Sequence, residues 1–247
     1  MIRKMKYNEN FLVKKSKEIL IDSRLPFKLQ KRELLEELRF PLDDNVLLPI
    51  QDHERIKLLF EKHIRKIPFL IGVHLNLMTT HITPFFLIGK DRIIKYRDGF
   101  GNYQFISQKE MFNKIKRFSS QCGWVEFINS IWNPMTIAGR IIYFSSIEQL
   151  IEIQKGVVPT ELGNNRTKSS YLTIKLLFFG LDPQEKNNLN KFSFKETEVN
   201  NLISSLRRYR RGFETLKRID NFPTLEFGYT EKNRLIVVDV DWPNQYM

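Results

Sequence analysis

The chain has 247 residues, 42% of them apolar, enough to bury one large core or two smaller lobes around a shared cleft. Its one cysteine, Cys122, excludes an internal disulfide framework and a cysteine-rich zinc site, and suits a reducing, cytoplasmic compartment. Its apolar runs fall short of the roughly 20 residues of a membrane-spanning helix, and no secretory core follows the basic Met1–Lys6, so neither a membrane span nor export is expected. Lysine and arginine number 40 against 28 acids, a net charge of +12, which draws polyanions such as nucleotides, nucleic acid or anionic lipid. The same Lys-, Asn- and Ile-rich usage also arises from an AT-rich genome.

From Met1 to about Lys66 the pattern predicts helices joined by a loop. Leu29, Leu34, Leu35 and Leu38 fall near one helical face over Leu29–Leu38, and Phe40-Pro41-Leu42-Asp43-Asp44 stops that helix. Asp52–Ile64 repeats the pattern with Ile56, Leu58, Leu59, Phe60 and Ile64. Between Pro68 and Arg97 the runs turn β-rich, and Gly89-Lys90-Asp91 closes a hairpin between Phe85–Ile88 and Ile93–Tyr96. Gln108–Phe118 reads as a helix through Met111, Ile115 and Phe118. Strands follow over Gly139–Phe144, Gln149–Gln154 and Tyr171–Phe179. One amphipathic helix is predicted over Thr197–Arg218, with Val199, Leu202, Ile203, Leu206, Tyr209, Phe213 and Leu216 inward and Arg207, Arg208, Arg210 and Arg211 outward. A hairpin of Thr224–Tyr229 and Leu235–Val240 ends the chain. A division near residue 105 separates an N-terminal helical and hairpin lobe (1–105) from a C-terminal lobe (106–247), a single domain being the alternative.

The order of elements from Ile93 to Pro243 resembles an ATP-grasp nucleotide-binding domain of the kind found in phosphoenolpyruvate synthase and pyruvate phosphate dikinase. The matching segments are Ala138-Gly139-Arg140-Ile141, Leu150–Gln154, Gly156–Glu161, Pro223–Phe227 and Leu235–Asp241, with Ile94–Arg97 and the loop Asp98-Gly99-Phe100-Gly101 at the family's phosphate-binding strand. The family's serine-bearing stretch after its arginine and its glycine-rich loop are missing, and its terminal Gln and Arg correspond to Asp239 and Asp241. The resemblance implies an α+β, ATP-grasp-like fold with mixed or antiparallel sheets and flanking helices around a nucleotide cleft. It also implies an ATP- and Mg2+-dependent ligase or phosphotransferase.

Phosphoryl transfer is catalysed by positioning and charge neutralisation. Lys95 and Arg97 share one strand face and suit the phosphates, as catalytic and nucleotide-binding cations. A solvated edge-strand pair is the other reading. Glu226, Asp239 and Asp241 of the last hairpin supply hard oxygen ligands for magnesium, or form an ordinary solvent face. Glu152 and Gln154 are candidates for the ribose or adenine edge. His53, His63, His74 and His81 lack a metal-binding spacing, and Cys122 has no identifiable base beside it. Arg207, Arg208, Arg210 and Arg211 around Tyr209 are the rival signal, for a non-catalytic nucleic-acid-binding or regulatory protein in which the cations track a phosphate backbone and the ring stacks on a base.

Overall fold

The computed structural model describes residues 9–20, 27–43, 45–66, 69–75, 84–89, 91–121, 123–128, 136–155, 172–219 and 223–241. Local chemistry opens its helices. Helices α1 (Glu9–Leu20) and α2 (Phe27–Glu37) come first. Asp52 caps α3 (His53–His63) by accepting from the Arg55 backbone N–H, and Ser107 and Glu110 form a reciprocal capping box at α4 (Gln108–Phe118). A first antiparallel sheet orders its strands β1 (Asn45–Pro49), β6 (Gly123–Ile128), β2 (Phe69–Leu75), β3 (Phe85–Ile88), β4 (Ile94–Arg97) and β5 (Tyr103–Ile106). One face of that sheet, through Ile71, Val73, Phe86, Val125 and Phe127, forms a core with Ile56 and Phe60 of α3 and Met111 and Ile115 of α4. The phenylalanine rings there meet edge-on, with Phe60 at 5.7 Å from Phe69 and 5.3 Å from Phe112.

The second sheet is also antiparallel, in the order β10 (Gly180–Leu181), β9 (Leu172–Leu177), β8 (Glu148–Lys155), β7 (Ile137–Phe144), β11 (Thr224–Tyr229) and β12 (Leu235–Asp241). Its apolar face packs with α2, α6 (Glu196–Arg207) and α7 (Arg210–Ile219), following a short α5 (Lys186–Lys191). Gly139 lies where β7 meets its neighbours. A Cβ there would clash with the Glu152 carbonyl oxygen and come within 2.7 Å of the Phe227 ring, so only glycine lets that ring cover the strand.

Contacts divide the chain into one unit of Met1–Asp22, Lys31–Leu42 and Pro134–Met247 and another of Ser23–Gln30 and Asp43–Asn133. A cut at residue 105 would instead separate β6 from β1 and β2, with which it pairs. Among the described residues no helix is long and apolar enough to cross a membrane.

Several local expectations are corrected. Among the strands that were not predicted, β1 ends on proline, β5 is a short edge strand, and β6 interrupts its apolar run with Glu126. The strand expected to reach Phe179 ends at Leu177, because Phe178 and Phe179 adopt positive φ of 51° and 55°. Bulky residues rarely occupy that region. Here it is held by Gln149, whose Oε1 accepts the Phe179 N–H at 3.0 Å, and by burial of the Phe179 ring beside Phe144 at 6.0 Å. The single helix over Thr197–Arg218 is two helices, α6 and α7, broken at Arg208-Tyr209. There Tyr209 stacks on Phe40 at 5.8 Å, while Gly212 admits the same Phe40 ring to within 2.7 Å of where its Cβ would lie.

The last hairpin carries a β-bulge. Glu226 faces Asp239 but the next residue, Phe227, faces Val237, which leaves Val238 without a partner in register. Leu235, Val237 and Val240 therefore join the core together, although strict alternation would place Val240 on the face opposite Leu235 and Val237. Val237→Asp is expected to destabilise the protein by about 3 kcal/mol or more, as a buried unpaired charge does, and Val238→Asp by about 1 kcal/mol. Urea unfolding of the two variants measures the difference, and equal losses would contradict the bulged register.

Candidate functional site

Residues directly opposite one another in neighbouring strands share a sheet face. Across the second sheet Asp239 opposes Glu226, Glu226 opposes Arg140, Arg140 opposes Glu152, and Glu152 opposes Thr173. A charged stripe thus crosses five strands on the face away from the core of that sheet. Arg140 Nε donates to Glu152 Oε2 within it. Two positions along, Gln154 opposes Ala138 and Ala138 opposes Gly228, so small residues flank the stripe. Glu152, Gln154, Glu226, Asp239 and Asp241, singled out from sequence, therefore all lie on one face. Their neutralising partners Arg140 and Lys31 were not singled out.

Lys31 is the more consequential of the two. It projects from α2, is only 4% exposed, and its ammonium bonds the Asp241 carboxylate and lies 3.2 Å from Asp239 Oδ1. The same Asp239 oxygen accepts the Val240 N–H at 2.8 Å, which fixes the carboxylate. A signal existed: Lys31, Leu34, Leu35 and Leu38 are spaced i, i+3, i+4 and i+7, so a lysine occupies the apolar stripe of its helix. A lysine placed there has to find a carboxylate. For magnesium the donor chemistry at Glu226, Asp239 and Asp241 is right, but two of the three carboxylates already bind an ammonium. Among the described residues no group of three or more Asp, Glu, His or Cys is placed to hold a metal ion. With Lys31 bound to two of them, these carboxylates as placed do not fit a resident magnesium.

Lys95 and Arg97 belong to the other unit, on β4. They share a strand face, and each lies over an aromatic ring: Lys95 Nζ is 4.3 Å from the Tyr103 centroid and Arg97 Cζ 4.4 Å from that of Phe85. Arg97 Nε is buried without a hydrogen-bond partner. The row through Arg97 continues through Phe85 and Gly72 to Glu126. Glu126 and His74 are each 3% exposed; Glu126 takes the His74 ring nitrogen Nε2 at 2.8 Å and the Asn45 side-chain amide. This buried His74–Glu126 pair with Asn45 beside it was not anticipated, because a histidine and a glutamate in separate apolar strands give no local spacing to detect.

The loop after β4, Asp98-Gly99-Phe100-Gly101, is organised around its own aspartate. Asp98 accepts the Phe100 and Asn102 N–H groups at 2.9 Å each and the Asn102 side-chain amide at 3.1 Å. The Gly101 N–H bonds the Asp98 carbonyl and the Asp98 N–H bonds the Asn102 carbonyl, so these donors are turned inward. The Asn102 side-chain amide, with the backbone N–H groups, holds the Asp98 carboxyl below its ordinary range. Arg207, Arg208, Arg210 and Arg211 are exposed, and Arg210 pairs with Glu214 at 2.8 Å. Tyr209, expected to stack on a base, is committed to Phe40. Gly156–Glu161, Thr79–Ile82, Cys122 and Pro243 lie outside the described residues.

No family model matches the chain, and no curated protein matches it. Among solved structures it is similar to a RiPP-associated ATP-grasp ligase from Chryseobacterium gregarium, in complex with ADP and a leader and core peptide, at 10% identity and TM-score 0.43 over 88% of this chain and 52% of that one. It is also similar to the macrocyclase MdnC from Microcystis aeruginosa, bound with its precursor peptide MdnA, at 9% identity and TM-score 0.45 over 93% and 54%. A third is the D-alanine-D-alanine ligase from Coxiella burnetii, at 9% identity and TM-score 0.40 over 87% and 46%. The chain spans about half the length of these structures. None of the three is a phosphoenolpyruvate synthase, and the narrower resemblance to that enzyme is not supported.

Proposed function

We propose that the chain is an ATP-dependent ligase of the ATP-grasp type, acting in the cytoplasm on an acceptor of unknown identity. The observation that carries this reading is the Lys95–Arg97 pair. Two cations are held on aromatic rings at 4.3 and 4.4 Å, and the Arg97 Nε is buried with no hydrogen bond. A guanidinium edge in that state suits a phosphate, which takes two parallel N–H donors in one plane. In this reading Lys95 and Arg97 orient the phosphates and neutralise charge as the γ-phosphoryl leaves, the main tasks in phosphoryl transfer. Magnesium enters as part of the MgATP substrate.

Three results test this. MgATP is expected to raise the melting temperature in a concentration-dependent way, and Arg97→Ala to weaken ATP binding about tenfold, roughly 1.4 kcal/mol, in isothermal titration. Arg210→Ala, on the exposed face of α7, should leave ATP affinity unchanged. A protein stabilised by short RNA and not by ATP, with Arg210 the more sensitive position, would overturn the assignment.

The inward-turned Asp98 loop gives a separate test. A carboxyl held below its ordinary value stabilises the loop above that value, and the contribution is lost only as pH falls through the lowered one. In nitrogen-15 NMR the Phe100 and Asn102 amides are expected to titrate with a midpoint below that of an ordinary aspartate, and to stay unshifted by ATP. A large ATP-dependent shift of both would place phosphate in the loop.

A further inference from the structure

The pair Asp239 and Asp241 has the form of a divalent-cation site, two carboxylates at i and i+2 on one strand face. Oxygen donors in that arrangement suit magnesium, manganese or calcium. The position nevertheless contains the chain's own cation. The Lys31 side chain is 5% exposed, against 15% for Asp239 and 37% for Asp241, so it is the least exposed of the three. A lysine loses several kcal/mol of hydration on such burial and is retained where opposite charge surrounds it. Here the charge comes from a strand far along the chain, with Asp239 pre-set by the Val240 N–H at 2.8 Å.

We propose that Lys31 is a built-in replacement for a metal ion at Asp239 and Asp241. The wild-type protein binds no divalent cation at this pair, and removing the amine converts the pair into a metal site. Without the ammonium, two carboxylates face one another at short range, an arrangement relieved by taking up a proton or a cation. Lys31→Ala empties the volume of the side chain and leaves room for a hydrated ion, whereas Lys31→Met retains an apolar stem of similar length and does not.

The inference concerns charge within one unit and is independent of the nucleotide reading, so the probe is Mn2+ alone, followed by electron paramagnetic resonance. Wild type and Asp239→Asn are expected to bind Mn2+ equally weakly. Lys31→Ala is expected to bind it at least tenfold more tightly and to regain melting temperature with it. Lys31→Met and the double variant Lys31→Ala with Asp239→Asn should do neither. Wild-type Mn2+ binding that disappears in Asp239→Asn would overturn the proposal, and that comparison uses no Lys31 variant. A folded Lys31→Ala that ignores Mn2+ would overturn it too, as would one that stays unfolded when refolded with Mn2+. Failure of ATP to bind leaves every one of these results standing.

Discussion

Successive side chains of a strand point to opposite faces, so a single extra residue reverses the assignment of everything beyond it. Val238 is that residue in β12. Before it, Leu235 and Val237 point to the core, and after it Val240 does. Asp239 and Asp241 are thereby carried to the polar face. In strict alternation they would follow Leu235 and Val237 into the core, where two carboxylates cannot remain charged without partners. The stripe from Asp239 to Thr173 and the contact with Lys31 both presuppose this bulge.

The stripe illustrates how a basic chain can present an acidic face. The net charge of +12 belongs to the whole sequence, but Glu152, Glu226, Asp239 and Asp241 are answered locally by Arg140 and Lys31. The cations of the other unit are handled differently. Lys95 and Arg97 rest on rings, which stabilise a cation while leaving its donors uncommitted to carboxylate. Charge on the first face is balanced by opposite charge, and charge on the second is held against aromatic rings.

The sequence was most legible where one rule governed. The bounds of α4 follow from its capping box and periodicity, and the Phe85–Ile88 and Thr224–Tyr229 strands from alternation beside turn residues. It misled where a tertiary contact overrode local preference. Tyr209 continues a helical stripe, and only Phe40, distant in sequence, shows why the helix breaks there. Phe178 and Phe179 extend an apolar run, and only the Gln149 side chain makes their left-handed turn affordable. The same limit applied to the site. Acidic residues at alternating strand positions stand out, whereas a lysine in an apolar helical stripe is masked in a chain so rich in basic residues.

Gly139 has a consequence for the order in which the second sheet forms. A glycine in mid-strand has no side chain to pack and greater backbone freedom to lose, so β7 alone is a poor template for pairing. The Phe227 ring supplies the missing surface, and it belongs to β11, close to the end of the chain. Closure of the sheet therefore joins segments widely separated in sequence, a contact pattern that slows folding. During synthesis β7, β8 and β9 emerge before the strand that completes them, and until β11 arrives their apolar face rests on a central strand that is not yet covered.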